Sequence, residues 1–389
     1  MNKATLSQWK ILRSDKWLLS SLTWLPFLLV LSIWWIFSQG IARDLPIAVV
    51  DLQHSNLSRK LINNIDATAA LKVSNVYEDA LSAKNALVGN DVYAYLIIPK
   101  HLDRDIYLGT PPQVSVFYNN QFILVGKVIQ SAVLQAAGTF NVQVSAIKEL
   151  AKGNVALQSA IIKSVTIQTQ ITPLFNKNSD YSQFLVSAIV PALWQISIVV
   201  SCVLFLAANH RHYGLQVLFK QKPLLQLARI AAFYMPFFMF QGLAFLFCFY
   251  VLLEWPMNGS IITLLSIQFF TVIACVIMGC FFYCLTLDAA RAMSLAGAFS
   301  APSFAFMGIT FPASDMNMLA QFWRDLLPIS HYIEAQVNQV SYGLNAWQTI
   351  ASFMPSMMGY LIPLYLIFVL IKKHLHHSEQ SLGAENEPL

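Results

Sequence analysis

Charge is the scarcest thing in this sequence. Only 11% of its 389 residues are Asp, Glu, Lys or Arg, against about 25% in a soluble domain. A chain so poor in charge cannot cover a soluble surface of its size. The 57% hydrophobic content also excludes intrinsic disorder. What remains is a membrane protein with several spans. Cysteine is scarce too. Cys202, Cys248, Cys275, Cys280 and Cys284 all lie in apolar runs, so no disulfide framework is expected. Each reads as a small buried hydrophobe. The net charge of +5 is too weak and too scattered to point to nucleic acid.

Several chemistries are missing as well. A phosphate-cradling loop needs Gly-x-x-x-x-Gly-Lys-Ser/Thr. The only Gly-Lys pair is Gly126-Lys127, which lacks the upstream glycine and is followed by Val128. The chain is therefore not expected to hydrolyse ATP by itself or to bind a nucleotide cofactor. No Gly-x-Ser-x-Gly elbow and no His-Glu-x-x-His occur. No acidic residues stand at metal-ligand spacing in the apolar stretches, which argues against an intramembrane enzyme. Glu254, Asp288 and Arg291 sit only at the ends of such stretches. Mid-membrane charge is expensive and usually marks an ion path, so its absence argues against proton- or sodium-coupled transport. Asp288 reads as a helix N-cap. The tract Lys372-Lys373-His374-Leu375-His376-His377 reads as a basic tail at the membrane surface rather than a metal site.

What is present is apolar length. A bilayer span takes about 20 apolar residues. Six stretches qualify: Trp17–Ser38, Tyr181–Ala208, Ile230–Leu253, Ser260–Leu287, Ala292–Phe311 and Ile350–Ile371. The first reads as an uncleaved anchor, because its core is long and no small-x-small site follows. Lys and Arg set the orientation. On one side lie Lys3, Lys10, Arg13, Lys16, Arg211, Lys220, Lys222, Arg229, Arg291, Lys372 and Lys373. On the other, outside the long insertion, lies only Arg324. Both termini are expected in the cytoplasm, with residues 39–180 outside. Pro26, Pro191, Pro236, Pro302, Pro312, Pro355 and Pro363 fall in or near the apolar stretches, where they suit either helices that rearrange or ordinary membrane composition.

The insertion is the long polar region. Strand-like runs at Ile47–Asp51, Leu71–Val76, Val92–Ile98 and Gln113–Tyr118 alternate with helix-like runs from Asn56, over Glu78–Val88 and over Asp103–Leu108. Such alternation predicts an α/β layer. From Phe122 to Ile171 the composition predicts long helices returning to the membrane. The domain reading is thus a cytoplasmic N-terminal segment over 1–16, a first span over 17–38 and an α/β domain with return helices over 39–180. A five-helix domain over 181–371, with a loop at 209–229 and a polar segment over 313–349, precedes a tail at 372–389. The fold class is an α-helical polytopic membrane protein of six spans, with the α/β domain inserted after the first.

The stretch Phe306 to Pro312, with Gly308, Phe311 and Pro312, then Leu327-Pro328 and Tyr332, resembles the signature of type 2 ABC-transporter permeases. The runs Pro46–Asp51, Ser55–Leu61 and Ala94–Pro99 resemble the subgroup with a large extracytoplasmic domain. The resemblance implies a permease subunit of an exporter, not itself an enzyme. It implies a dimer, with itself or a paralogue, and a separate ABC ATPase subunit carrying ATP and Mg. A periplasmic adaptor and an outer-membrane channel often assist the subgroup, which implies a bacterial inner membrane. It also implies an amphipathic N-terminal helix over 1–16, short outer-leaflet helices over 313–349, and coupling of the loop after the second span, 209–229, to the ATPase. Arg211, Tyr213, Leu215, Leu218, Phe219 and Lys220 make that loop basic, aromatic and free of acid; a plain positive-inside loop is the alternative. Leu215, Leu218 and Phe219 fall three to four residues apart, and that apolar face is expected to dock. A membrane-anchored secretion or phage-receptor component of like topology, without ATP-driven transport, is the alternative function. The substrate is not legible.

Overall fold

The computed structural model describes residues 3–38, 43–108, 110, 112–119, 121, 123–151, 180–219 and 222–385. Packing divides the chain into a helical unit, Met1–Gly40 with Leu174–Leu389, and an inserted unit, Ile41–Pro173.

The helical unit opens with α1 (Lys3–Ser14), α2 (Lys16–Leu22) and α3 (Trp24–Phe37). The inserted unit holds β1 (Leu45–Asp51), α4 (Asn56–Asp66), β2 (Leu71–Tyr77), α5 (Ala80–Val88), β3 (Ala94–Ile98), α6 (Leu102–Leu108), β4 (Ser115–Tyr118) and α7 (Ile123–Ala151). The helical unit resumes with α8 (Tyr181–Tyr213), α9 (Leu215–Phe219), α10 (Pro223–Phe247), α11 (Ile261–Thr286), α12 (Ala289–Ser300) and α13 (Ser303–Phe306). It ends with α14 (Met318–Leu326), α15 (Pro328–Val340), α16 (Ala346–Met358) and α17 (Leu361–Glu385).

The sheet runs β2-β1-β3-β4, with β1 parallel to both neighbours and β4 antiparallel to β3. Strand β1 is central, and Ile47, Ala48, Val49 and Val50 are buried on both faces. One face packs on α4 and α7 through Leu61, Ile65, Ile129 and Phe140. The other packs on α5 through Ala83 and Ala86. Two of the strand-to-helix turns are fixed by side-chain caps. Ser55 caps α4 in a reciprocal box with Ser58. Buried Asp51 accepts from the amides of Gln53 and His54 and from the Ser58 hydroxyl at 2.7 Å. The Asp and Ser residues of the 46–61 run therefore act in folding the first strand-to-helix turn. Asp79 caps α5, and hydrogen bonds from the hydroxyl and amide of Ser82 hold its carboxyl below the ordinary value.

Among the described residues four helices are long and apolar enough to cross a membrane: Ser182–Tyr213, Pro223–Leu252, Ile261–Thr286 and Ala346–His376. The pair α2 and α3, bent by 47°, is a fifth if counted as one span. The remaining stretch expected to span, 292–311, is not among them. There α12 is 12 residues long, stops at Ala301-Pro302, and resumes as the four-residue α13. Proline brings no amide to continue the hydrogen-bond ladder. Asp288 caps α12, as the sequence suggested, by accepting from the Arg291 amide at 2.8 Å.

The α2–α3 bend is held from its neighbours. Gln241 of α10 donates to the Leu22 carbonyl at 2.9 Å, and Ser201 of α8 donates to the Ser21 hydroxyl at 3.0 Å. In lipid a break in the ladder needs such substitutes. Helices α8 and α11 approach so closely that a Cβ at Gly279 would lie 2.5 Å from the Cys202 Cβ and 2.8 Å from the Val199 carbonyl oxygen. Cys202, Cys275, Cys280 and Cys284 are buried in this core.

Candidate functional site

The loop read as a coupling element is shorter than its sequence suggests. Helix α8 runs on through Tyr213, so Arg211 and Tyr213 belong to its last turn. Helix α9 then has five residues, Leu215–Phe219. The expected docking face is corrected. Leu218 and Phe219 are buried in the core of the helical unit, with Leu215 and Tyr213 packed against it. They share a helical face, but it points inward. Val217 is the exposed apolar residue of α9, at 72%. Lys220 lies outside the described residues.

The N-terminal helices meet this end of α8. Gln8 and Asn209 exchange two amide hydrogen bonds of 2.7 and 3.1 Å, and the Tyr234 hydroxyl donates to the same Gln8. All three side chains are buried. Trp9 stacks edge-on against Phe233 at 5.3 Å. Arg211 donates to Asp15 at 2.7 Å, and Asp15 also caps α2. Part of the Arg211 charge is thus answered within the chain. Nearby, His210 pairs with the Tyr283 hydroxyl at 2.7 Å, and His374 contacts the Cys284 carbonyl at 3.1 Å.

The six signature residues separate into two environments. Leu327, Pro328 and Tyr332 are buried at the start of α15, where Pro328 takes the first helical position. Phe311 and Pro312 are exposed. Gly308 has φ +85°, a backbone state that favours glycine, and its turn lies beneath the Arg324 guanidinium. Arg324 in turn pairs with Glu334 at 2.6 Å, tying α14 to α15.

A chain of buried uncharged polar groups links the long helices. The free Ile329 amide of α15 donates to Gln195 of α8 at 2.9 Å. Gln195 donates to Ser303 of α13 at 3.0 Å, and Ser303 donates back to the Ser300 carbonyl. Gln268 of α11 donates to the Tyr332 hydroxyl at 3.1 Å and to the Gly242 carbonyl of α10 at 3.2 Å. Trp194 donates to the Phe238 carbonyl and meets Tyr332 edge-on. Gln339 accepts from the Ser260 amide and donates to Thr349 at 2.6 Å. A reading based on charge misses these residues. The signal was available as glutamine inside apolar runs, at Gln195, Gln241 and Gln268.

Among the described residues no three His, Cys, Asp or Glu side chains gather as metal ligands. The ties cross-link α8, α10, α11, α13 and α15 without placing a charge among them. Hydrogen bonds of this kind average roughly 0.6 kcal/mol in membranes, so they can exchange as helices shift. A family model described as ABC-2 family transporter protein matches residues 16–371. No curated protein and no solved structure matches the chain.

Proposed function

The chain belongs to the ABC-2 family of transporter proteins, and from that premise we propose that it is the permease subunit of an exporter driven by a separate ABC ATPase. Membership makes it a multi-pass membrane transport component rather than an enzyme, and it implies association with an ABC ATPase subunit. The finer reading is ours. ATP and Mg act on the partner subunit. Two permease chains, identical or paralogous, form the membrane assembly in a bacterial inner membrane. Both termini are cytoplasmic, and residues 39–180 are extracytoplasmic. A periplasmic adaptor and an outer-membrane channel complete the path. The Lys/Arg distribution supports the orientation.

The observation that carries the reading is a match running almost from end to end, 16–371, over a helical unit whose long helices are tied by amides and not by charges. The coupling surface is accordingly drawn as composite. Arg211, His212 and Val217 are its exposed members, and α1, locked to α8 by Gln8 and Asn209, lies beside them. Leu218 and Phe219 support it from within.

The test is biochemical. Purified alone, the chain should turn over no ATP; co-expressed with its ATPase it should co-purify and support turnover. Cysteines introduced at Asn75 and Gln380 should label from opposite sides of the membrane. Robust turnover by the isolated chain would refute the division of labour, and same-side labelling would refute the topology.

A further inference from the structure

Helices α14, α15 and α16 border a cleft of about 130 Å³. His331, Glu334 and Asn338 of α15 form one wall, because residues three to four apart share a helical face. Ser352 of α16 stands on another side, and Arg324 and Asp325 close the end of α14. A water molecule takes roughly 30 Å³ in the liquid. The cleft therefore suits a compact group of a few heavy atoms.

Its charges do not balance. Arg324 donates to Glu334 at 2.6 Å and stands 3.8 Å from Asp325. One guanidinium thus faces two carboxylates. No other Asp, Glu, Lys or Arg among the described residues lines the cleft. The arginine side chain is mostly buried, whereas those of Asp325 and Glu334 are 66% and 54% exposed. What an incoming group meets is net negative.

His331 adds an acceptor with a fixed direction. The residue is only 9% exposed. Its Nε2 lies 3.0 Å from the Asp325 carbonyl oxygen, which can only accept, so Nε2 carries the proton. Burial holds the ring below its ordinary pKa, which leaves a free lone pair on Nδ1 at neutral pH. That nitrogen has no hydrogen-bond partner among the described residues. Unlike the sealed oxygens of Gln241, Gln268 and Gln336, it keeps accessible surface. An open acceptor one helical turn from a surplus carboxylate matches a donor that is also a cation.

We propose that this cleft binds a protonated primary amine, its N–H groups donating to His331 Nδ1 and to the carboxylates of Glu334 and Asp325. A quaternary ammonium brings the charge without the donors. A small soluble amine and the headgroup of phosphatidylethanolamine both present the right chemistry. Binding does not rest on the transport reading above.

The test uses the full-length chain at neutral pH in nanodiscs of phosphatidylcholine, whose quaternary headgroup has no N–H. The probes are propylammonium and propyltrimethylammonium, equal in charge and different in donors. Titrations followed by saturation-transfer NMR, corrected for empty nanodiscs, should show propylammonium binding roughly tenfold tighter, the scale of one hydrogen bond to a charged group. Asp325→Asn with Glu334→Gln should weaken it roughly tenfold, through side chains exposed enough to spare the fold. His331→Phe should weaken propylammonium more than its trimethylated form. Ser352→Trp, which fills the cleft from an exposed position, should abolish saturable binding of both, and it decides the matter if His331→Phe does not fold. Equal binding of the two probes to the natural chain would overturn the proposal. So would unchanged affinity in the carboxylate variant, a folded His331→Phe that keeps the full preference, or saturable binding in Ser352→Trp. Replacing a third of the lipid with phosphatidylethanolamine separates the sources. A headgroup occupant competes and raises the apparent Kd of propylammonium, whereas an unchanged Kd assigns the cleft to a soluble amine. No ATPase is needed, so failed binding leaves the exporter reading standing, and failed transport leaves this one.

Discussion

The two units solve one problem with different materials. The inserted unit holds nearly half of the charged residues in about a third of the chain. It buries aliphatic layers on both faces of a sheet and leaves polar side chains on the outside. The helical unit has an exterior of Leu, Ile, Phe and Trp, for example Trp35 at 79% and Leu319 at 80% exposure. Amides such as Gln195, Gln241 and Gln268 lie inside. In water, apolar burial drives association. In lipid, the exterior is already solvated, so close backbone approach and interhelical polar ties must supply specificity. The inward polar chain from Gln8 to Gln339 is what that solvent requires.

Substitutions can break this comparison, beginning with the largest expected effect. Ile129→Ala opens a hole under the sheet where Ile129 is fully buried, and should cost the inserted unit about 2–5 kcal/mol. Hydrogen exchange on β1 and β3 reads it, and α8 should be unaffected. Gly279→Ala should cost about 1–3 kcal/mol through overpacking at the α8–α11 crossing, seen as a lower melting temperature. Its counterpart Gly138→Ala in α7 meets nothing within 4 Å among the described residues and should be neutral or gain about 0.5–1 kcal/mol from helix propensity. Equal penalties at the two glycines would dissolve the contrast. Gln195→Leu removes ties to Ile329 and Ser303 and should cost about 1–2 kcal/mol, with ATP-driven transport falling more than stability does. Arg211→Ala breaks a pair that is 63% exposed on the arginine side and should cost no more than about 1 kcal/mol, shrinking further in high salt. A double-mutant cycle with Asp15→Ala measures it.

The inserted unit was the more legible in sequence. Its four strands and the helices at α4, α5 and α6 appear where the alternation of strand-like and helix-like runs put them, within a few residues. Local chemistry writes those boundaries. The helical unit was legible as length and not as direction. Hydropathy located α8, α10 and α11, yet it could not show that Pro302 ends α12 outright while Pro191 and Pro236 sit inside continuous helices. That depends on which neighbours take up the freed groups. Spacing placed Leu218 and Phe219 on one face of α9, but periodicity carries no sign. Whether a face meets its own core or a partner is set by packing, and here the core wins. The amide chain escaped because residues scattered from 195 to 339 meet only after folding.

The reciprocal pair of Gln8 and Asn209 sets a tolerance on movement at the end of α8. Each amide is donor and acceptor to the other, so both bonds exist at one axial offset and neither survives at the next. A helix advances about 1.5 Å per residue, which exceeds what two bonds near 3 Å can stretch to cover. The pair behaves as a detent: α1 follows α8 rigidly under small displacements and lets go in one step under larger ones.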